Sequence, residues 1–236
     1  MPTIVLKPRK ARPFYGRHPW VLDSAIERVE GKPNDGDMVE LLGNDGGWIA
    51  RGILNSQSRI RVRLYTWRSD EPLDRAFWRR RLQAAFALRE RLFKARDPSA
   101  EKTGASPSLC PSHQTNAGHR GSSAERLVFS EADGLSGLVV DRYGDYLVMQ
   151  VSALAMAVRI EELTSLIAEL LRPRGVLLRL DQGMGALEGL PTNLAEGLCW
   201  GEPSDGPVFI AEHGIRYGVD LATGQKTGFF LDQRDN

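Results

Sequence analysis

Cysteine is nearly missing: Cys110 and Cys199 are the only two in 236 residues, and they lie far apart. A pair so placed, with no export signal beside it, excludes a disulfide-stapled secreted scaffold. There is also no apolar run approaching the roughly 18 residues a membrane helix needs. The opening Met1-Pro2-Thr3-Ile4-Val5-Leu6 is too short for the apolar region of a signal peptide, and Lys7, Arg9 and Lys10 follow it instead of preceding it. These absences predict a reduced, cytoplasmic protein with no membrane association. Gly and Pro are only modestly high, aromatics are ordinary, and 42% of the residues are apolar, enough for a sizeable core in one or two domains.

A large net charge is absent too, since the chain sums to +1. Its distribution is uneven. Residues 1–96 hold 20 Lys/Arg against 11 Asp/Glu, whereas residues 97–236 hold 11 against 19. One half therefore suits a polyanionic partner and the other does not, unless both are only solvated faces.

The first 68 residues read as short strands broken by turn residues. Asp37–Leu42, Trp48–Leu54 and Arg59–Tyr65 are expected strands, with Asn44-Asp45-Gly46-Gly47 as a hairpin turn. Strands this short and this close predict a small β-barrel over residues 1–70. In the third strand Ile60, Val62 and Leu64 alternate with Arg59, Arg61 and Arg63, and Tyr65 continues the arginine side. That alternation predicts a basic ridge on the barrel wall. A linking helix is expected in residues 71–96, with Trp78, Leu82, Ala85, Leu88 and Leu92 as one buried stripe and Asp70 or Asp74 as its cap. Residues 97–125, rich in Ser, Gly and Pro, read as a flexible insertion. An α+β central domain is expected over 126–205, with an amphipathic helix on Ile160, Leu163, Ile167, Leu170 and Leu171 that ends before Pro173. Residues 206–236 read as a β-hairpin, Val208–Ala211 with Ile215–Leu221, and an exit segment.

Cations interleaved with aromatics occupy the N-terminal part: Lys7-Pro8-Arg9-Lys10, Arg17-His18-Pro19-Trp20, Arg51, and Arg59, Arg61 and Arg63. Such a set suits RNA, because Lys and Arg neutralise phosphates while Trp20 or His18 stacks on an unpaired base. The competing reading makes Trp20 a core residue and the arginines merely solubilising. These segments, the stretch Ser130–Val148, and the closing Gly224-Gln225-Lys226-Thr227-Gly228-Phe229-Phe230-Leu231-Asp232-Gln233-Arg234 together resemble the ribosomal RNA large-subunit methyltransferase I family. The resemblance implies a PUA-like barrel, a central domain and the entry into a Rossmann-like methyltransferase lobe that would lie beyond residue 236. It implies S-adenosylmethionine as donor, 5-methylcytosine as product and large-subunit ribosomal RNA as partner. By position it places Lys226 at the donor's carboxylate, Phe229 or Phe230 on its adenine and Gln233 as an orienting amide. Thr227, Gly228 and Arg234 complete the implied cofactor rim.

Read this way, the 236 residues are the RNA-binding front of such an enzyme, expected to bind RNA but not to methylate it. The alternative is a stand-alone RNA-binding adaptor, and a third reading is a protein-interaction module with incidental charge. A homodimer is compatible with the sequence. Three other motifs lead nowhere. Gly183-Met184-Gly185-Ala186-Leu187-Glu188-Gly189 has the wrong spacing for a dinucleotide loop and Pro191 follows closely, so a turn is expected. Cys110, His113 and His119 are too few for zinc, even with Cys199 as a distant fourth. Asp133 and Asp141 stand as turn and strand-end residues, not as a catalytic carboxylate pair.

Overall fold

The computed structural model describes residues 1–96, 123–212, 215–222, 224, 227–229 and 231. Its first unit holds six strands: β1 (Thr3–Leu6), β2 (Trp20–Leu22), β3 (Ile26–Glu30), β4 (Met38–Leu42), β5 (Trp48–Leu54) and β6 (Ile60–Thr66), with a one-turn helix α1 (Arg12–Tyr15) between β1 and β2. The order across the sheet is β2-β6-β5-β4-β1-β3. The two edge strands, β2 and β3, are consecutive and separated only by the single 3-10 turn Asp23–Ala25. So short a link brings the edges together, and the sheet rolls up as a small barrel. Ile4, Leu6, Val21, Val39, Leu41, Leu54, Val62 and Leu64 fill its interior, with Phe14 of α1 as a plug. Gly52 is needed at the bend of β5: a Cβ there would lie 2.4 Å from the carbonyl oxygen of Arg63 on β6.

Helix α2 (Arg75–Arg96) follows, its first turn capped by Asp74, whose carboxylate accepts the Phe77 N–H at 2.8 Å. Phe77, Trp78, Leu82, Ala85 and Phe86 are buried. The expected stripe holds only for its first three turns, because Leu88 and Leu92 are exposed at 36% and 53%. Helical periodicity marks a face of the helix but not how far the partner sheet extends beneath it.

The second unit is a five-stranded sheet, ordered β11-β10-β9-β8-β7, from β7 (Ala124–Phe129), β8 (Leu138–Tyr143), β9 (Tyr146–Val151), β10 (Gly175–Leu180) and β11 (Gly197–Gly201). Strands β9 and β10 are parallel, joined through α3 (Leu154–Ala157) and α4 (Ile160–Leu171), while the other pairings are antiparallel. Helix α4 ends where Arg172 takes a left-handed conformation before Pro173. Helices α2 and α4 cover one face of the sheet; the hairpin β12 (Val208–Glu212) and β13 (Ile215–Val219) packs on the other through Ile210, Val219 and Leu221. The stretch expected as a turn at 183–189 lies in a short helix, α5 (Gln182–Glu188). Strand β7 begins at Ala124, inside the expected insertion.

The main core includes Ile53 and Tyr65 of the barrel wall together with α2, α4 and the second sheet. The outside of β5 and β6 is therefore interior to the molecule. Among the described residues no helix is long and apolar enough to cross a membrane.

Candidate nucleic-acid interface

Residues 1–22 contain five Lys/Arg and no Asp or Glu. The connection from β1 to β2 carries them all, together with Tyr15, His18 and Trp20. Lys7, Arg9, Lys10, Arg12, Arg17 and His18 are all exposed. Lys7 donates to the Ser24 carbonyl at 3.0 Å; Arg9, Lys10, Arg12 and Arg17 have no carboxylate partner among the described residues. Elsewhere arginines are mostly neutralised: Arg79 on Glu169 at 2.7 Å, Arg89 on Asp133 at 2.5 Å, Arg126 on Asp141 at 2.8 Å. Cations left without internal partners and held at one end of a barrel repel each other, and a polyanion relieves that repulsion.

The backbone of this connection is strained at two of those cations. Arg9 and Arg17 have φ of 67° and 62°, the left-handed region that side chains other than Gly, Asn and Asp seldom enter. Each costs of order 1 kcal/mol, and such costs concentrate where a loop presents groups to a ligand. His18 sits edge-on to Trp20, ring centroids 6.0 Å apart, and its Nδ1 accepts the Trp20 backbone N–H at 3.2 Å. Trp20 keeps 37% of its surface exposed. Its indole N–H donates to Glu131 at 3.0 Å, and the Arg63 guanidinium lies 5.8 Å from its ring centre. Trp20 is therefore a half-exposed platform clamped at its edge, not a core residue.

The arginine ridge on β6 requires correction. Arg59 is exposed and Arg61 half-buried, but Arg63 is only 6% exposed and Tyr65 only 1%. Arg63 donates to Glu188 at 2.9 Å and to Ser136 at 2.9 Å, with Glu131 at 3.4 Å. Glu188 is itself held by Ser58 at 2.7 Å and by Asn55. The side of β6 that begins in solvent at Arg59 thus runs under the second sheet by Arg63. Arg51 is also withdrawn: it faces Glu40 across the β4–β5 pair, binds it at 2.9 Å, and donates to the Ser69 and Glu71 carbonyls. Neither arginine is available to a nucleic acid.

Burial acts against the Glu131 charge, but hydrogen bonds from Ser130, Ser136 and Trp20 outweigh it and hold the carboxyl below its ordinary range. Glu131 therefore stays ionised between Trp20 and Arg63 at neutral pH.

The closing segment is a packing element wherever it is described. Thr227 is fully buried and donates to Asp141 at 2.5 Å, with the Tyr143 hydroxyl 3.0 Å away. Burial, ahead of the neighbouring Asp141 charge, pushes the Tyr143 hydroxyl up to about 12, so it stays a neutral donor or acceptor. Phe229 donates its N–H to Tyr143 at 3.2 Å and packs on Tyr217, centroids 5.2 Å apart. A Cβ on Gly228 would lie 2.9 Å from Val219. With its hydroxyl already engaged and no exposed surface, Thr227 is not a contact for S-adenosylmethionine, and Phe229 spends its ring on Tyr217. The described part of the segment does not by itself fit that cofactor. Lys226, Phe230, Gln233 and Arg234 lie outside the described residues, as do Cys110, His113 and His119. The Cys199 thiol is given to the Val176 carbonyl at 3.2 Å.

Asp141 was expected as a strand-end residue, yet it is wholly buried and ties Arg126 and Thr227 together. The only sequence signal for that role was an acidic residue in an otherwise apolar strand run.

A barrel with this cationic connection, set against an α/β sheet, defines a two-part protein of the kind that opens with a PUA-like domain. The model of the PUA-like domain matches residues 4–67. Over 233 residues the chain is 36% identical to the ribosomal RNA large subunit methyltransferase I of Shewanella amazonensis, covering 99% of this chain and 52% of that protein. It is 37% identical over 220 residues to the protein of the same name from Aeromonas salmonicida, covering 93% and 49%. Among solved structures, a putative SAM-dependent methyltransferase from Streptococcus mutans superposes with a TM-score of 0.72 at 16% identity, covering 99% of this chain and 52% of that one. A putative methyltransferase complexed with SAH superposes with a TM-score of 0.69 at 18% identity, covering 98% and 50%; these two likenesses concern the fold. The chain is homologous over almost its whole length to the ribosomal RNA large subunit methyltransferase I proteins, and it spans about half the length of those curated relatives.

Proposed function

We propose that this chain supplies the RNA-engaging part of an S-adenosylmethionine-dependent ribosomal RNA methyltransferase, with large-subunit RNA as its partner and 5-methylcytosine as the product of the whole enzyme. The observation that carries the RNA reading is the β1–β2 connection, where cations without ionic partners alternate with exposed aromatics. Lys7, Arg9, Lys10 and Arg17 contact phosphates, His18 and Trp20 meet a base, and Arg59 and Arg61 extend the surface along β6. Homology to proteins named as ribosomal RNA methyltransferases supports the RNA class and the donor. The roles of Lys226, Phe230, Gln233 and Arg234 toward the donor rest on the resemblance alone.

The test is fluorescence anisotropy with a fragment of large-subunit ribosomal RNA across a salt series. Each lost phosphate contact should reduce the slope of log affinity against log salt by about 0.7 to 0.9. R9Q/K10Q/R17Q should therefore flatten the slope by about two to three and weaken binding by more than tenfold at low salt. An unchanged slope would remove the RNA reading and leave the protein-interaction module.

A further inference from the structure

One cation near this surface belongs to neither the barrel nor the ion-pair network. Arg81, on the second turn of α2, has no salt-bridge partner among the described residues. Its Nη2 donates to the Tyr65 carbonyl at 3.0 Å and its guanidinium lies 5.0 Å from the centre of the Phe77 ring. The β2–β6 pairing shows where this is. Trp20 faces Arg63, and the Leu64 N–H donates to the Pro19 carbonyl at 2.8 Å, so one step further along the antiparallel register Tyr65 stands opposite His18. Arg81 thus holds the end of β6 beside the Arg17–His18 turn. On its other side it packs on the 3-10 turn Ser130–Asp133 and Gly134, where a Cβ on Gly134 would come within 3.1 Å of Nη1. Glu131 of that same turn clamps the Trp20 indole.

Three elements therefore meet at one place: the strained Arg17 turn of the barrel, Trp20, and Arg81 of α2. The two cations sense each other. Burial is the main influence lowering the Arg81 pKa, Glu71 opposes it, and Arg80 and Arg17 add to it as like charges. Arg80 is neutralised by Glu71 at 2.8 Å, whereas Arg17 has no such partner. Two guanidinium groups close enough to repel, with no carboxylate between them, suit a shared phosphate.

We propose that Arg17 and Arg81 form a single phosphate seat beside Trp20, so that the interface takes one unpaired nucleotide of a single strand, its base on the Trp20 ring and its phosphate between the two arginines. The inference rests on the RNA reading of the barrel and deepens it: the partner is single-stranded at this point, and helix α2 takes part in binding. A continuous duplex keeps its bases stacked inside and presents none to Trp20.

The experiment uses the full chain and a 5′-labelled single-stranded 12-mer oligoribonucleotide of mixed sequence, with the blunt duplex of the same strand as comparison. Wild type should prefer the single strand. R17Q and R81Q should each weaken single-strand binding by about fivefold at low salt and reduce the salt slope by about 0.7. R81K should keep the slope, and R17Q/R81Q should lose no more slope than either single change, because one phosphate is released once. Should R81Q lower the melting temperature, R81M retains the packing against Phe77 and carries the same expectation. A slope unchanged in R81Q or R81M, while R9Q/K10Q still flattens it, would overturn the seat and leave the barrel reading intact. No change in any of these variants would overturn both, and additive slope losses in the double variant would mean two separate phosphates.

Discussion

Arg63 shows how much a single side chain depends on what is placed over it. With Glu188, Ser136 and Glu131 around it, the guanidinium is an internal clamp between barrel and second sheet, and its Nε has no partner at all. Breaking such a pair leaves a buried charge uncompensated. Glu188→Ala should therefore cost about 3–5 kcal/mol in urea unfolding, while Arg63→Met with Glu188→Leu should recover much of that loss. A smaller effect of the single change than of the double would show that the pair does not hold the two units together. Glu131 gives a pH prediction. Its folded pKa is depressed, so its contribution is present above the unfolded value near 4.5 and is lost as pH falls through the folded value. The Trp20 signal, taken as the fluorescence difference between wild type and W20F, should change only below about pH 4.5. A transition centred above pH 5 would mean that Glu131 is not what holds the indole.

At the scale of elements, the strands of the barrel were legible because each pairs apolar alternation with an obvious turn. Met38–Leu42, Trp48–Leu54 and Ile60–Thr66 fall within a residue of expectation. The amphipathic α4 was equally plain, with Leu163, Ile167 and Leu171 buried. Helix α2 was legible only in part. Its period continues through Leu88 and Leu92, but its burial does not. Leu82→Ala should cost about 2–5 kcal/mol in chemical denaturation, and Leu92→Ala less than about 0.5 kcal/mol. Equal costs would mean that the C-terminal half of α2 is covered after all. The short helix α5 escaped the reading because three glycines and a following proline argue against a helix. Its last residue, Glu188, is anchored from outside by Ser58, Asn55 and Arg63, and that tertiary contact overrides the weak local preference.

On the scale of the whole molecule, the charge asymmetry and the arrangement agree. The cationic half contains the barrel and α2, and its cations without partners lie on the β1–β2 connection. The hydrophobic alternation, the turn residues and the concentration of Lys and Arg toward the N-terminus were sufficient to read a barrel, an α+β unit and an RNA-facing front, because each depends on local pattern or on summed charge. What the pattern left undecided was which polar side chains reach solvent. A period of two assigns Arg59, Arg61 and Arg63 to one side of β6, yet it carries no information about a second layer lying over part of that side. Only the packing of the second sheet on β5 and β6 turned Arg63 inward and left Arg59 outside. The same packing brought Arg81, remote in sequence, beside Arg17 and Trp20, because contacts across 60 residues are made by the fold and leave no periodic trace in the chain.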